Sequence, residues 1–504
     1  MRVIELEVSD RAHNYRTTQT NTTMAEPNWQ KVQEDKEQKK QAVTSYIASK
    51  CKVDSDIKVL REIGASLSDG AELEIDILTG GLANYTYKIS CKDTNDISTE
   101  HKLFAKLSFP FAQLFPDKPC PLSRTQNEFE MMRTFHKLSP GLVASPCFCD
   151  DIGEDMKLLV TQWSPVDEQF GNQFIDGTVD MRTATKIAEG ISNLHCFSDV
   201  DLDFNSDMRP WFHSLTPILE DIVNGLHKSE NQDRVGARAK EVGENVTSVT
   251  SDMFDSYVNT LDVTECLIHG DLHTFNILVG AKPSIETLEN FDASGSVVLC
   301  DWEMAHGGTA GHDIGTLRSF PIACAFAHSI NGHRHAALDC LSWLNTFWSS
   351  YEAAVRKANT SEEQVTRIFR HSLQFSALYL LGHYALNIHM EFLPIDEGNV
   401  EDLAKVKESI GLVGLKYFEL GMDESLSLEE LKANYSQAIE EEMTMLLSIK
   451  KVRRNRRASV LRASGRRVSD ANLHFTAPDR LSIISADRSS IISKLKTLPS
   501  ETEL

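Results

Sequence analysis

Residues 267–279 read LIHGDLHTFNILV: a His, a Gly and an Asp after one apolar pair, then an Asn five residues past the Asp, beside another apolar pair. Leu267 and Ile268 at one end and Ile277 and Leu278 at the other leave water only if both ends of the segment enter a core. The polar residues between them therefore sit on a short loop pinned at both ends. Downstream, VVLCDWE (297–303) is a second apolar strand that runs straight into Asp301.

That pair of segments has a chemistry. Asp271 on its short loop can accept a proton from an attacking hydroxyl, or simply orient it, and Asn276 can hold a metal ion that bridges phosphates. Asp301 follows its strand directly, which presents the carboxylate at a strand end, where Mg2+ is commonly held together with substrate phosphates. Glu303, two residues further, could share the ion.

The rest of the chain supplies a frame. Residues 1 to about 28 are rich in Thr, Asn and charge without apolar periodicity and are expected to be disordered, and the charged run 29–50 is expected to form a solvated helix. From about 57, EIDILTG and NYTYKISCK alternate as two strands around a Gly-Gly turn, and KLFAKLS is a third. A helix is expected at 124–138, where Met131, Met132, Phe135 and Leu138 make one apolar face. MKLLVTQW (156–163) has the character of a buried strand, with a connector after it. From about 179 the pattern is mainly helical, apart from the short strands CLIHGDL, NILVG and VVLCDWE. No internal repeat is evident.

Composition narrows the function. The net charge of -22 over 504 residues opposes general nucleic-acid binding, which needs clustered Lys and Arg. No basic region followed by an apolar core opens the chain, and its most apolar stretch, SALYLLGHYALNIHMEF (376–392), carries His, Asn and Glu and falls short of the ~20 apolar residues that span a bilayer. Ten scattered Cys without metal-ligand spacing read as reduced core thiols of a cytoplasmic protein.

HGDLHTFNIL followed by CDWE and GHDIG resembles the catalytic core of the aminoglycoside phosphotransferase and choline kinase superfamily, relatives of the protein kinases that act on small molecules. The resemblance implies an α+β, two-lobed protein-kinase-like fold with a small antiparallel-sheet lobe and a large helical lobe. It implies Asp271 as catalytic base, Asn276 and Asp301 as Mg2+ ligands with Glu303 assisting, and ATP as phosphoryl donor. GGLAN, similar to the nucleotide loop of choline kinases, implies Gly80, Gly81 and Asn84 near the ATP phosphates, with Lys106 of LFAKLS as the ATP-binding lysine. Its helical partner is Glu128, which shares the apolar face with Met131, Met132 and Phe135, or Glu130. Gln162 and Trp163 would form the hinge that meets adenine. His269 is read as a loop anchor, His273 is left open, and Asp313 of GHDIG matches the family residue that braces the catalytic loop from the start of a helix. The implied organisation is a disordered or helical extension over 1–56, a nucleotide-binding lobe over 57–163, a helical lobe over 164–445 and a disordered basic, Ser-rich tail over 446–504.

Gly270 and Trp302 stand where protein kinases carry the Arg of HRD and the Phe of DFG, which favours a small-molecule acceptor. DWEMAHGGTAGHDIG is similar to methylthioribose kinases, and the glycine loop to choline and ethanolamine kinases; each subfamily is matched in part. Trp343, Trp348, Tyr351, Tyr379 and Tyr384, with Asp339 and Glu391, are candidates for an ammonium cage. The basic run 450–469 holds nine Lys or Arg and no acid, with basophilic phosphorylation patterns ending at Ser459 and Ser469, and the terminal ETEL fits a PDZ-type partner. The rivals are a catalytically inactive scaffold of the same fold and a protein kinase. The oligomeric state stays open.

Overall fold

The structure is a computed structural model that describes residues 29–53, 56–78, 83–92, 100–112, 115–164, 166, 168–197, 201–206, 222, 233–242, 263–280, 296–395 and 399–463. Two helices come first, α1 (Trp29–Val53) and α2 (Lys58–Ser68). The strands β1 (Leu73–Ile77), β2 (Tyr85–Lys92) and β3 (Glu100–Ser108) follow, then the short strands β4 (Phe111–Ala112) and β5 (Phe115–Pro119). After helix α3 (Ser123–Leu138) come β6 (Pro146–Gly153) and β7 (Met156–Gln162). The five longer strands form one antiparallel sheet in the order β1-β2-β3-β7-β6.

Alternation decides what each face of that sheet meets. Leu103, Ala105 and Leu107 of β3 join Tyr87, Ile89, Leu158 and Val160 in one apolar cluster. Lys106, between them in sequence, faces the other way. Val43, Ile47 and Cys51 of α1 and Leu60 and Ile63 of α2 cover the apolar face. The expectation of a solvated helix over 29–50 is corrected here: apolar residues at 43, 47 and 51 make a narrow stripe at helical spacing, enough to dock it on the sheet. Tyr87 Oη donates to the Lys36 carbonyl at 3.1 Å, and Lys50 pairs with Asp150 at 3.0 Å, fixing that docking at both ends.

The second lobe begins with β8 (Glu168–Gln169), α4 (Phe170–Ile175), α5 (Met181–His195) and α6 (Arg234–Val242). The short strands β9 (Cys266–Ile268), β10 (Ile277–Val279), β11 (Val297–Leu299) and β12 (His306–Gly308) carry the two polar loops. Five helices follow: α7 (Ala310–Asn331), α8 (Arg334–Lys357), α9 (Glu362–Leu386), α10 (Val400–Met422) and α11 (Leu428–Ala463). Residues 310–330 of α7 are all buried, so it has no solvent face and serves as the axis on which the later helices pack. The fold is thus α+β, an antiparallel-sheet lobe followed by a mainly helical one, as the sequence implies. Among the described residues no helix is long and apolar enough to cross a membrane.

Helix α3 connects the lobes. Met131, Met132 and Phe135 belong to the same apolar cluster as Trp302 and α7, and the Phe135 and Trp302 rings lie 4.6 Å apart. Helix α11 runs past 450, where the basic run begins, to Ala463 and includes Ser459; Ser469 and the ETEL terminus lie outside the described residues.

Candidate active site

β9 ends at Ile268, fully buried, and the chain turns at Gly270 with φ +80°. Gly270 sits against the chain on the far side of the loop: a Cβ there would lie 2.2 Å from the Met304 carbonyl oxygen. The turn leaves two backbone N-H groups inside, those of His269 and Gly270, and Asp313 accepts from both, at 2.7 and 2.9 Å. His195 Nε2 lies 3.2 Å from the same carboxylate and its Nδ1 lies 2.8 Å from Tyr351 Oη. Burial alone would raise the Asp313 carboxyl; the His195 hydrogen bond together with the charge interactions of His195, His269 and His312 outweighs it and holds the group at about 2. His269 is itself buried, its Nε2 3.0 Å from the Cys300 carbonyl and its ring 4.4 Å from that of Trp302.

Asp271 projects from the braced loop with 34% of its side chain exposed. Asn276 Nδ2 donates to its carboxylate at 3.1 Å and to its carbonyl at 3.0 Å. The five-residue spacing therefore closes a ring in which the amide fixes the acid. Burial pushes the Asp271 carboxyl above its ordinary value, opposed first by His273. The register of β10 with β11 sets Ile277 opposite Leu299, and Cys300 N donates to the Asn276 carbonyl at 2.9 Å. Asn276 and Asp301 thus leave neighbouring strands at the same end. Asp301 has φ 65°, a left-handed conformation rare for a residue with a side chain.

Lys106 Nζ donates to Glu128 at 2.9 and 3.1 Å and to Asp301 Oδ1 at 2.6 Å, with Glu303 at 3.5 Å. Glu130 instead bonds Gln126 and Arg133 on the exposed side of α3, so the partner of Lys106 is Glu128. Burial would lower the Lys106 ammonium, but the carboxylates of Asp301, Glu128 and Glu303 hold it well above its usual value. Burial raises Glu128 to about 7, against the pull of Lys106, while Lys106 outweighs burial at Asp301 and keeps that group below its ordinary value.

Glu303 has a second set of partners that the sequence does not announce. Arg124, fully buried, donates its Nε to Glu303 at 3.2 Å and its Nη2 to Asn84 Oδ1 at 3.0 Å; Asn84 Nδ2 donates to Glu303 at 2.8 Å. Arg124 Nη1 meets the carbonyls of Phe109, Cys120 and Pro121 at 3.0, 3.1 and 2.9 Å. In sequence, SRTQNE offers no sign that this Arg is internal. The one available signal is its position four residues before Glu128, one helical turn along the same face.

Residues 112–344 match the model of the phosphotransferase enzyme family. The match takes in the loops that carry Asp271 and Asp301 but less than half of the chain. No curated protein matches the sequence. Among solved structures, the aminoglycoside phosphotransferase of Alicyclobacillus acidocaldarius subsp. acidocaldarius is 14% identical, the alignment covering 72% of this chain and 92% of that one, with TM-score 0.40. A glucosamine kinase in complex with glucosamine, ADP and inorganic phosphate is 11% identical over 70% of this chain and 82% of that one, with TM-score 0.36. The macrolide 2'-phosphotransferase of Brachybacterium faecium is 13% identical, over 68% and 96%, with TM-score 0.30.

The chain gathers Lys106, Glu128, Glu303 and Asn84 in one buried network that reaches the half-exposed Asp301, with Asp271 and Asn276 joined on the adjoining loop. Gly80 and Gly81 lie outside the described residues. Gln162 and Trp163 sit where β7 ends, but Gln162 N donates to the Ser145 carbonyl at 2.9 Å and Trp163 N to the Lys102 carbonyl at 3.1 Å. Neither N-H is left for a base. The ammonium cage expected from the helical lobe is corrected: Trp343, Trp348, Tyr351 and Tyr384 are buried core residues, with Trp343 Nε1 on Thr183 Oγ1 and Tyr384 Oη on Asp233.

Proposed function

We propose that this chain is a phosphotransferase that moves the γ-phosphoryl group of ATP to a hydroxyl of a small polar metabolite, of the choline and ethanolamine type or the methylthioribose type. The observation that carries the reading is the junction of two assemblies: Asp271 locked by Asn276, and Asp301 held at a strand end by the Lys106 and Glu128 pair. Asp271 orients the acceptor hydroxyl and takes its proton, a role suited by a carboxyl that burial pushes up. Lys106, set by Glu128, neutralises phosphate charge. Asn84, bonded to Glu303 and Arg124, and the sequence loop of Gly80 and Gly81 belong to the phosphate-binding part of this reading. Adenine is met beyond Gln162 and Trp163, whose own N-H groups are engaged.

The donor set fits Mg2+. Asp301 and Glu303 each offer a carboxylate oxygen, within 4.8 Å of one another, and Asn276 offers an amide oxygen; hard oxygen ligands are what that ion takes. Asn276 and Asp301 would hold it, with Glu303 assisting, and the ion would supply charge neutralisation on the phosphates. In this reading 57–163 is the nucleotide lobe and 164–445 the catalytic lobe. Modification at Ser459 and Ser469, a PDZ-type partner and a cytoplasmic location belong to the same reading and rest on the sequence.

Asp271→Asn tests the proposal. Turnover is expected to fall ~100-fold or more, with Mg-ATP affinity by calorimetry unchanged. Turnover close to that of the parent would remove Asp271 from the role of base. A parent chain that does not bind Mg-ATP would instead favour the scaffold.

A further inference from the structure

Beside Asp271 stands a wall of rings that phosphoryl transfer leaves without a role. His273 Nε2 lies 3.6 Å from Asp271 Oδ2. The His273 ring is 6.0 Å from that of His389 and 6.2 Å from that of Phe275, and Phe275 is 5.5 Å from His389. Phe392 closes the group at 5.4 Å from Phe275 and 5.9 Å from His389. All four rings are only partly buried, whereas Phe320 and His383 behind them are each 2% exposed. The wall therefore has a packed back and a wet front, and the front begins at the acid that meets the acceptor.

Its construction is specific. In the turn after α9, Asn387 has φ 59°, a left-handed helix end that Asn commonly makes, and His389 has φ 56°, uncommon for a residue with a side chain. His383 Nδ1 lies 2.5 Å from the Ile388 carbonyl and ties that turn to α9, while His383 Nε2 is buried without a hydrogen-bond partner. Burial pushes His389 down to about 3 and His383 down to about 4, so both rings are neutral at physiological pH. A neutral imidazole offers one donor and one acceptor, and a phenyl face offers apolar surface. The four rings include no carboxylate; Glu391, on the same turn, is exposed.

We infer that this wall is the acceptor subsite and that it takes an uncharged, hydroxyl-rich ring of the neutral-sugar class. The inference rests on the phosphoryl-transfer reading above and narrows it. The C-H face of the sugar lies on Phe275 and Phe392, and its hydroxyls pair with His273 and His389. One hydroxyl reaches Asp271: its proton passes to the carboxylate, its oxygen bonds the γ-phosphorus, the bond from that phosphorus to the β,γ-bridging oxygen breaks, and ADP leaves. A cationic acceptor would also be drawn to ring faces but would need a counter-charge besides Asp271, whose carboxylate 3.6 Å from His273 serves the acceptor hydroxyl; among the described residues Glu391 is the acid nearest in sequence to His389 and Phe392.

The test uses the full chain with Mg-ATP and two acceptor panels, neutral pentoses, hexoses and alkylthiopentoses against choline, ethanolamine and aminoglycosides. Turnover is expected with the neutral panel. His389→Ala and the milder Phe392→Leu are each expected to raise acceptor KM, the first about tenfold, without moving KM for ATP, while Glu391→Gln leaves acceptor KM in place. Preferential turnover of the cationic panel, or acceptor KM unmoved in both wall variants, overturns the subsite and leaves phosphoryl transfer standing. No ATP-dependent transfer to either panel overturns the phosphoryl-transfer reading itself.

Discussion

A methyl group on residue 270 would meet the Met304 carbonyl oxygen at 2.2 Å on a backbone already at φ +80°. Gly270→Ala is therefore expected to destabilise the protein by about 2 kcal/mol or more, because the clash is with backbone and the conformation is strained for any side chain; urea unfolding measures it. In the sequence the same glycine reads only as a departure from the HRD of protein kinases. The structure adds a backbone reason for it. Arg124 shows the opposite failure, since apart from its place one turn before Glu128 nothing in a polar stretch distinguishes an internal guanidinium from a solvated one. With five hydrogen bonds to Glu303, Asn84 and three carbonyls, its removal strands a buried carboxylate. Arg124→Met is expected to cost about 3 to 5 kcal/mol and to raise KM for ATP by loosening Asn84, whereas a solvated Arg would give neither effect in unfolding or kinetic assays.

At the scale of elements, the loop that carries Asp271 is held by the first turn of α7 through Asp313. Its carboxyl is near 2 in the folded chain and about 4 when unfolded. A depressed carboxyl stabilises the fold above the unfolded value, and that stability is lost as pH falls through the folded one. The contribution is about 2 to 3 kcal/mol. The difference in unfolding free energy between the parent and Asp313→Asn is thus expected to be full at pH near 6 and to shrink between about 4 and 2; a difference that does not change with pH would show that the charge is not what braces the loop. Long elements were readable because periodicity accumulates along them: β1 to β3, α3 and β7 are where alternation or helical spacing puts them. β8 and β12, two and three residues long, are below the length at which any period can be read. α1 is the helix expected over 29–50, but its docking face is hard to read because Val43, Ile47 and Cys51 are diluted by Lys, Gln and Glu.

Across the whole molecule, the sheet lobe and the helical lobe meet through buried charge. Lys106 and Arg124 come from the first, Asp301 and Glu303 from the second. The motifs made Lys106, Asp301 and Glu303 legible as separate residues, but no spacing in the sequence says that Lys106 would lie on Asp301 or that Asn84 would lie on Glu303, since those contacts join residues about 200 positions apart. Removing one member of such a cluster leaves its partners buried and uncompensated, whereas removing two of opposite sign leaves less behind. Lys106→Met and Glu128→Leu are each expected to destabilise by about 3 kcal/mol. The double variant should cost clearly less than the sum, by about 1 kcal/mol or more, while all three lose phosphoryl transfer. Urea unfolding of the four chains measures the coupling, and strict additivity would mean that the 2.9 Å pair does not act as a unit in joining the lobes.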